Sequence, residues 1–271
     1  MEPFALHHPS YLTIENWTKL FPELLAGMTT KHGGTSKGFF QTLNMGFHVG
    51  DRIDDVVENR QKLSVLLDFP LNGWVGAEQT HDIVLKKVSR IDRGTGAESY
   101  QNAFKGTDGF YTDEPGILLT LCFADCVPLY FAAPKFKMIG LAHAGWKGTV
   151  REIARQMVQA WRNEGIPPEE IYIAIGPSIC EECYIVDNHV VNLVENILED
   201  VDEKPYNLIS DGQYSLNLRQ LNRQILLKAG IPVRNILMTG YCTSCHDLFF
   251  SHRKDQGKTG RMLSFIGWKE I

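Results

Sequence analysis

Three apolar runs lie close together in the middle of the chain: Ile117 to Leu121, Val127 to Ala132 and Met138 to Ala142. Runs of this length read as buried strands, so the chain must fold around a sheet. Two soft-donor side chains mark their ends. Cys126 closes Cys122-Phe123-Ala124-Asp125-Cys126 just before one run, and His143 follows another and opens His143-Ala144-Gly145-Trp146-Lys147-Gly148. A thiol and an imidazole are thereby delivered where sheet edges open into loops, a rigid setting for chemistry. His81, in Glu78-Gln79-Thr80-His81-Asp82, lies between two further strand-like segments, Gly73 to Ala77 and Ile83 to Val88.

The remaining elements follow from periodicity and punctuation. A helix is expected after Asp51 through Val56, Val57, Arg60, Leu63, Val65 and Leu66, with an acidic first turn that suits the helix dipole. A second spans Val150 to Trp161 and is stopped by Gly165 and Pro167-Pro168. Ile171 to Ile175 is a short strand broken by Gly176-Pro177. Helices over Asn188 to Leu198 and Leu216 to Lys228 precede strands at Asn235 to Thr239 and Arg261 to Ile266. Strands and helices mix without strict alternation, which predicts an α/β (α+β) chain: a single domain over residues 1–271, with a mixed β-sheet core flanked by helices.

Bulk properties exclude several roles. The 271 residues carry 27 basic and 32 acidic side chains, a net charge of −5, which argues against a dedicated nucleic-acid surface. No apolar run approaches the ~18 residues of a membrane span. Met1-Glu2-Pro3-Phe4-Ala5-Leu6-His7-His8 lacks the basic and apolar regions of a secretory signal, so a cytoplasmic location is expected. The six cysteines then read as thiols or metal ligands rather than disulfides.

Each of His81, Cys126 and His143 has a bland reading as packing. Together, one thiolate and two imidazoles from three elements suit a catalytic zinc, which takes three protein ligands and leaves a fourth position open. The rival metal site is Cys180-Glu181-Glu182-Cys183 with Cys242-Thr243-Ser244-Cys245, a four-cysteine set. Its internal spacings fit structural zinc, although the gap between the pairs is long and neither pair contains the glycine that often shapes such a knuckle. Cys242 to His246 also matches the c-type haem pattern, which needs an exported protein. The segment Lys31-His32-Gly33-Gly34-Thr35-Ser36-Lys37-Gly38 does not match a phosphate loop. It reads as a surface turn or as a mobile loop covering a substrate.

The ordered motifs resemble the laccase-like multicopper polyphenol oxidase family now described as purine nucleoside phosphorylases. They are Leu43-Asn44-Met45-Gly46, His48-Val49-Gly50-Asp51, Asn59-Arg60, Gln79-Thr80-His81, Asp108-Gly109 and Ala124-Asp125-Cys126-Val127-Pro128, then His143 to Gly148, Ile175 to Ile179, Cys183 to Val186, Asp247 to Ser251 and Thr259-Gly260-Arg261. The resemblance implies a fold similar to cytotoxic-necrotising-factor-type cysteine hydrolases, with Zn2+ held by His81, Cys126 and His143. Lys147 stands where many relatives carry Arg, keeping the charge but losing the planar fork.

What the resemblance implies chemically is phosphorolysis of adenosine, inosine and S-methyl-5′-thioadenosine, with adenosine deamination at the same site. Cys126, His81, His143 and Asp125 are the candidate catalytic residues. Asn44, Arg60, Gln79, Lys147 and Arg253 are candidates for holding nucleoside and phosphate. Three alternatives stand beside this reading. Cys126 and His143 could be the nucleophile and base of an amide hydrolase editing peptidoglycan precursors. The chain could be a non-enzymatic metal- or nucleoside-binding module. One Cys and two His also describe a copper site, and Cu2+ competes well for such donors. A polyphenol oxidase of the laccase type needs His-x-His pairs as well, and none of the nine histidines forms one.

Overall fold

The structure, a computed structural model, describes residues 2–198 and 203–270. Two six-stranded sheets form its centre. One runs in the order Phe4–His8, Tyr11–Ile14, Leu24–Thr29, Met262–Trp268, Leu118–Phe123, Trp74–Val75. The other runs Ile236–Met238, Tyr172–Ile175, Val127–Ala133, Met138–Ala144, Gly109–Thr112, Leu85–Lys87. A small third sheet joins Ile185–Asp187, Gln213–Leu216 and Tyr206–Ser210. Both large sheets mix parallel and antiparallel pairs, so the mixed α/β reading holds.

Burial on both faces explains why the central runs read as continuously apolar. Within Val127–Ala133, Val127, Leu129 and Phe131 face helices Ile153–Asn163 and Leu218–Lys228, packing with Met157, Trp161, Leu221 and Ile225. Tyr130 and Ala132 point the other way, against Phe4, Leu119, Leu121 and Ile266 of the first sheet. The side-chain period of two assigns alternate residues to two cores. Helix Ile53–Leu67 covers the outer face of the first sheet, where Leu63 and Leu67 meet Leu118 and Phe265. The layers are therefore helix, sheet, sheet, helices.

Three expectations need correction. The helix over Val150 to Trp161 is two pieces, Trp146–Val150 and Ile153–Asn163, because Glu152 takes a left-handed φ of 58° between them. The helix from Asn188 ends at Glu195 rather than Leu198. The Gly-rich segment is not free: Asn59 accepts from the Thr35 N–H at 2.8 Å and donates to Ser36 Oγ at 2.9 Å. A Cβ at Gly34 would lie 2.2 Å from the Thr42 carbonyl, so close backbone approach requires glycine there.

Candidate metal centre

Strand register brings the centre together. Val127–Ala133 and Met138–Ala144 are antiparallel neighbours with Pro128 opposite His143, so Cys126, two residues earlier, lies beside the end of the partner strand. Gly109–Thr112 pairs with the other edge of Met138–Ala144, with Gly109 opposite Ala142. Asp108 therefore lies beside His143, and the His143 N–H donates to its carbonyl at 2.8 Å. Cys126, His143 and Asp108 thus all sit where strands of one sheet enter loops.

His81 arrives from the other sheet. After Trp74–Val75 the chain is clamped by Gln79, whose amide nitrogen donates to the Cys122 carbonyl at 2.9 Å while its oxygen accepts the Cys122 N–H at 2.7 Å. His81 follows with a left-handed φ of 61°, which turns the chain back towards Asp108. That carboxylate, fully buried, accepts from the N–H groups of Thr80, His81 and Asp82 at 2.9–3.1 Å and from His143 Nδ1 at 2.8 Å. One side chain fixes both the His81 turn and the His143 ring. Asp108 belongs to the motif Asp108-Gly109, to which the sequence alone assigns no role. The signal that could have found it is an acidic residue at the head of a strand, but Gly109–Thr112 is too short to announce itself.

The ligating atoms of His81, Cys126 and His143 lie within 4.8 Å of one another. The two imidazole rings meet edge to face with centroids 4.8 Å apart, and Phe123 packs against His143 at 5.2 Å. His143 is 3% exposed and Cys126 half-buried, whereas His81 is open to solvent. Burial alone would raise the Cys126 thiol. The neighbouring His143 and His81 overcome it and bring the thiol down to about 6. Burial alone would lower His143, but Cys126 and the Asp108 carboxylate push it up to about 9. Burial would likewise raise Asp108, yet His143 and the backbone N–H groups hold it below the usual carboxylate range. With Nδ1 on Asp108, the other ring nitrogen of His143 faces Cys126. A pre-ionised thiolate and two oriented imidazoles form a donor set that fits a soft or borderline divalent ion such as zinc, with one coordination position left open.

The remaining site candidates divide by position. Asp125 directly precedes the thiol in a left-handed turn (φ 86°), and its carboxylate accepts from Thr243 Oγ1 at 2.6 Å and the Arg253 N–H at 2.7 Å. Arg60 is buried and gives its guanidinium to the carbonyls of Met45, Gly96 and Ala97 at 2.8–3.0 Å. Asn44 bridges Gly46, Asp51 and the Arg261 N–H. Lys147 is exposed, with its ammonium 5.6 Å from the Trp146 ring centroid. Arg253 lies over Tyr184 at 4.9 Å and donates to the Ile185 carbonyl at 3.0 Å. Trp146, Tyr184, His189 and Arg253 line an open cavity of about 490 Å³. Its wall adjoins the thiol, because Trp146 follows Gly145, whose Cβ would lie 2.9 Å from Cys126 Sγ. Arg261, unassigned in the sequence reading, lies close enough to feel the charges of Cys122, Cys126 and Asp125.

Residues 25–269 match the family described as multi-copper polyphenol oxidoreductase laccase. The chain belongs to this family. Relatives within it include the purine nucleoside phosphorylase YlmD of Geobacillus stearothermophilus, 53% identical over 92% of each chain. The purine nucleoside phosphorylase YlmD of Bacillus subtilis is 48% identical over 99% of this chain and 98% of its own. The crystal structure of YlmD from Geobacillus stearothermophilus superposes over the full length of both chains with a TM-score of 0.97 at 50% identity. The family description speaks of several coppers. Among the described residues two donor groups converge, the His81–Cys126–His143 set and a set of four cysteines, and neither offers more than two histidines. Among the described residues no helix is long and apolar enough to cross a membrane.

Proposed function

We propose that this chain, acting as one unit over residues 1–271, is a zinc-dependent purine nucleoside phosphorylase. Its substrates are adenosine, inosine and S-methyl-5′-thioadenosine together with phosphate, and it also deaminates adenosine. The observation that carries the reading is the convergence of three donors, oriented by Asp108, beside an open cavity, in a chain about half identical to proteins of that name. A volume of about 490 Å³ lies within the usual range for small-molecule sites, roughly 300–1,000 Å³.

His81, Cys126 and His143 hold the ion. Zinc, when bound, supplies a Lewis acid and brings a water's pKa down towards neutrality. Asp108 keeps His143 in the tautomer whose free nitrogen faces the centre. Asp125 fixes the turn that presents the thiolate, and Gln79, Asn44 and Arg60 hold the loops around it. Trp146 and Tyr184 supply flat surfaces for a purine. Arg253, Arg261 and Lys147 bring positive charge to the phosphate that attacks C1′ of the ribose, and departing base and entering phosphate are both anionic in character.

The test is direct. Purified protein with adenosine and phosphate is expected to give adenine and ribose 1-phosphate by chromatography, and without phosphate to give only inosine. An identically prepared His81→Ala/Cys126→Ser variant controls for host enzymes. Equal turnover by wild type and variant would sink the proposal.

One observation favours a second reading. Cys126, His143 and Asp108 also form a thiolate–imidazole–carboxylate line of the kind used by cysteine hydrolases. A covalent adduct on Cys126, trapped with a peptidoglycan-type amide, would favour it.

A further inference from the structure

The second sulfur cluster is built by topology. Tyr172–Ile175 and Ile236–Met238 are parallel neighbours with Ile175 opposite Met238, so the loops that follow both strands leave the sheet side by side. A parallel bridge between Ser178 and Cys242 continues the pairing, and the Thr243 N–H donates to the Ser178 carbonyl at 3.1 Å. Cys180 and Cys183 from one loop then face Cys242 and Cys245 from the other. The long sequence gap between the pairs is thus closed by two adjacent strands.

We propose that Cys180, Cys183, Cys242 and Cys245 bind a second zinc ion, structural rather than catalytic, which staples these two loops behind Asp125 and Cys126. All four sulfurs lie within 4.8 Å of one another, with Cys183–Cys245 at 3.4 Å and Cys180–Cys245 at 3.8 Å. A tetrahedral zinc with sulfur bonds of about 2.3 Å separates its ligands by roughly 3.8 Å. These contacts are therefore of ligand size and well beyond a bonded disulfide, at about 2.05 Å. The backbone is already arranged for thiolates. The N–H groups of Cys180 and Cys245 point at Cys242 Sγ at 3.2 and 3.4 Å, the second closing a tight Cys-x-x-Cys turn without glycine. Four thiolates around one dication leave a net charge of −2, and the buried Arg219 answers it. Its guanidinium donates to the Thr239 and Tyr241 carbonyls at 2.7 and 2.9 Å, directly before Cys242, within the field of Cys242 and Cys180. The Cys180–Cys183 turn is itself tied down, since Glu181 accepts from Ser215 at 3.2 Å and from Asn207 on the third sheet.

Both stapled loops grip the residue before the catalytic thiol. Ile179 N–H donates to the Asp125 carbonyl at 3.0 Å, and Thr243 Oγ1 donates to its carboxylate at 2.6 Å. The four-sulfur site therefore holds the Cys126 side of the open centre without touching substrate.

The experiment uses full-length protein purified in the presence of zinc and without chelating resin, with zinc counted by mass spectrometry. The expected result is two zinc ions per wild-type chain and one in Cys245→Ser. A His81→Ala/Cys126→Ser variant should also hold one, and its X-ray absorption should show a shell of four sulfurs at about 2.3 Å. Should Cys245→Ser fail to fold, the wild type decides. Modifying exposed thiols on folded protein should release one zinc ion into a coloured chelator while the second stays bound. A wild type with one zinc or none, or a His81→Ala/Cys126→Ser variant that retains no zinc, overturns the proposal. So does a disulfide within the four under non-reducing mass spectrometry. Loss of phosphorolysis with the second zinc retained would count against the proposed reaction and leave this inference standing.

Discussion

The two soft-donor clusters of this chain differ in the way that separates chemistry from scaffolding. The His81–Cys126–His143 centre has three donors, one carboxylate behind them and, past the neighbouring Trp146 and Tyr184, an open cavity close by. The cysteine cluster has four donors, N–H groups aimed at a sulfur, and its anchors turned into the sheet. Three donors leave a coordination position for a guest, and four close the shell. Mixed nitrogen and sulfur donors also keep the first centre near neutral overall, whereas four thiolates need outside compensation, which Arg219 supplies. On the proposed function, donor count and donor charge, rather than the presence of a metal, mark the reactive place.

The largest effect should come from breaking the open centre. Cys126→Ser or His143→Ala is expected to lower phosphorolysis on the order of a thousandfold or more, the scale on which removal of catalytic groups is felt, with a far-ultraviolet spectrum unchanged. Activity within tenfold of wild type would mean that the centre is not where the reaction happens. Asp108→Asn should come next. It keeps the shape and removes the charge that orients His143, and outer carboxylates of this kind change metal affinity by about 10–100-fold. Zinc competition with a coloured chelator measures it. Because an amide nitrogen cannot accept, Asn keeps only one of the two oxygens that take the His143 ring and the backbone N–H groups, so an unchanged affinity would show that Asp108 does not orient the metal ligands.

The pH behaviour sharpens the contrast further. In metal-stripped protein Cys126 should remain a thiolate down to about 6, so its alkylation, followed by peptide mass spectrometry, should reach half its plateau rate near that pH. An ordinary thiol would do so near ~8.5. For stability the signs oppose. Cys126, depressed in the folded state, contributes stability that is present at high pH and lost as pH falls towards about 6. His143, raised in the folded state, contributes stability that is present at low pH and lost as pH rises through about 9. Between roughly 6.5 and 8.5 the folded pair holds one proton on His143 and the unfolded chain holds one on Cys126. The proton counts match and the pair leaves stability level there. Guanidinium melts at pH 6.5 and 8.5 should therefore agree for this pair, and Cys126→Ser should break the agreement. That variant removes the largest charge raising His143 and leaves Asp108 alone to hold it up, with no depressed thiol to offset what remains.

The same contrast explains what the sequence could and could not say. The runs at Val127 to Ala132 and Met138 to Ala142 were legible because burial on both faces makes them apolar throughout. Helix Leu218–Lys228 was legible because one face packs and the other is polar. The strands Phe4–His8, Tyr11–Ile14 and Leu24–Thr29 went unread: they are short, and the first has one fully buried residue among exposed ones. His81, Cys126 and His143 stood out by residue type. Asp108 did not, since acidic residues are common and its role depends on a register that only strand pairing supplies. Convergence of the cysteine pairs was hidden for a related reason. Parallel neighbours can be far apart in sequence, so spacing alone made the pairs look unrelated.

The smallest perturbation tests how tightly the open centre is drawn. Gly145 has ordinary backbone angles, φ −66° and ψ 173°, so alanine is conformationally allowed there. Its Cβ, however, would sit 2.9 Å from Cys126 Sγ and 3.1 Å from His81 Cδ2. Neither neighbour is a free side-chain tip, because the turns carrying both ligands are held by buried carboxylates, Asp125 and Asp108. The methyl must therefore push one donor by a few tenths of an ångström. Mild overpacking costs about 1 kcal/mol, so Gly145→Ala should weaken zinc at the open centre by about fivefold while zinc on the cysteines is untouched. Chelator titration that resolves the two ions would show one step moving and the other fixed. If both steps move together, the two regions are mechanically one, and the separation of an adjustable reactive centre from a closed staple fails.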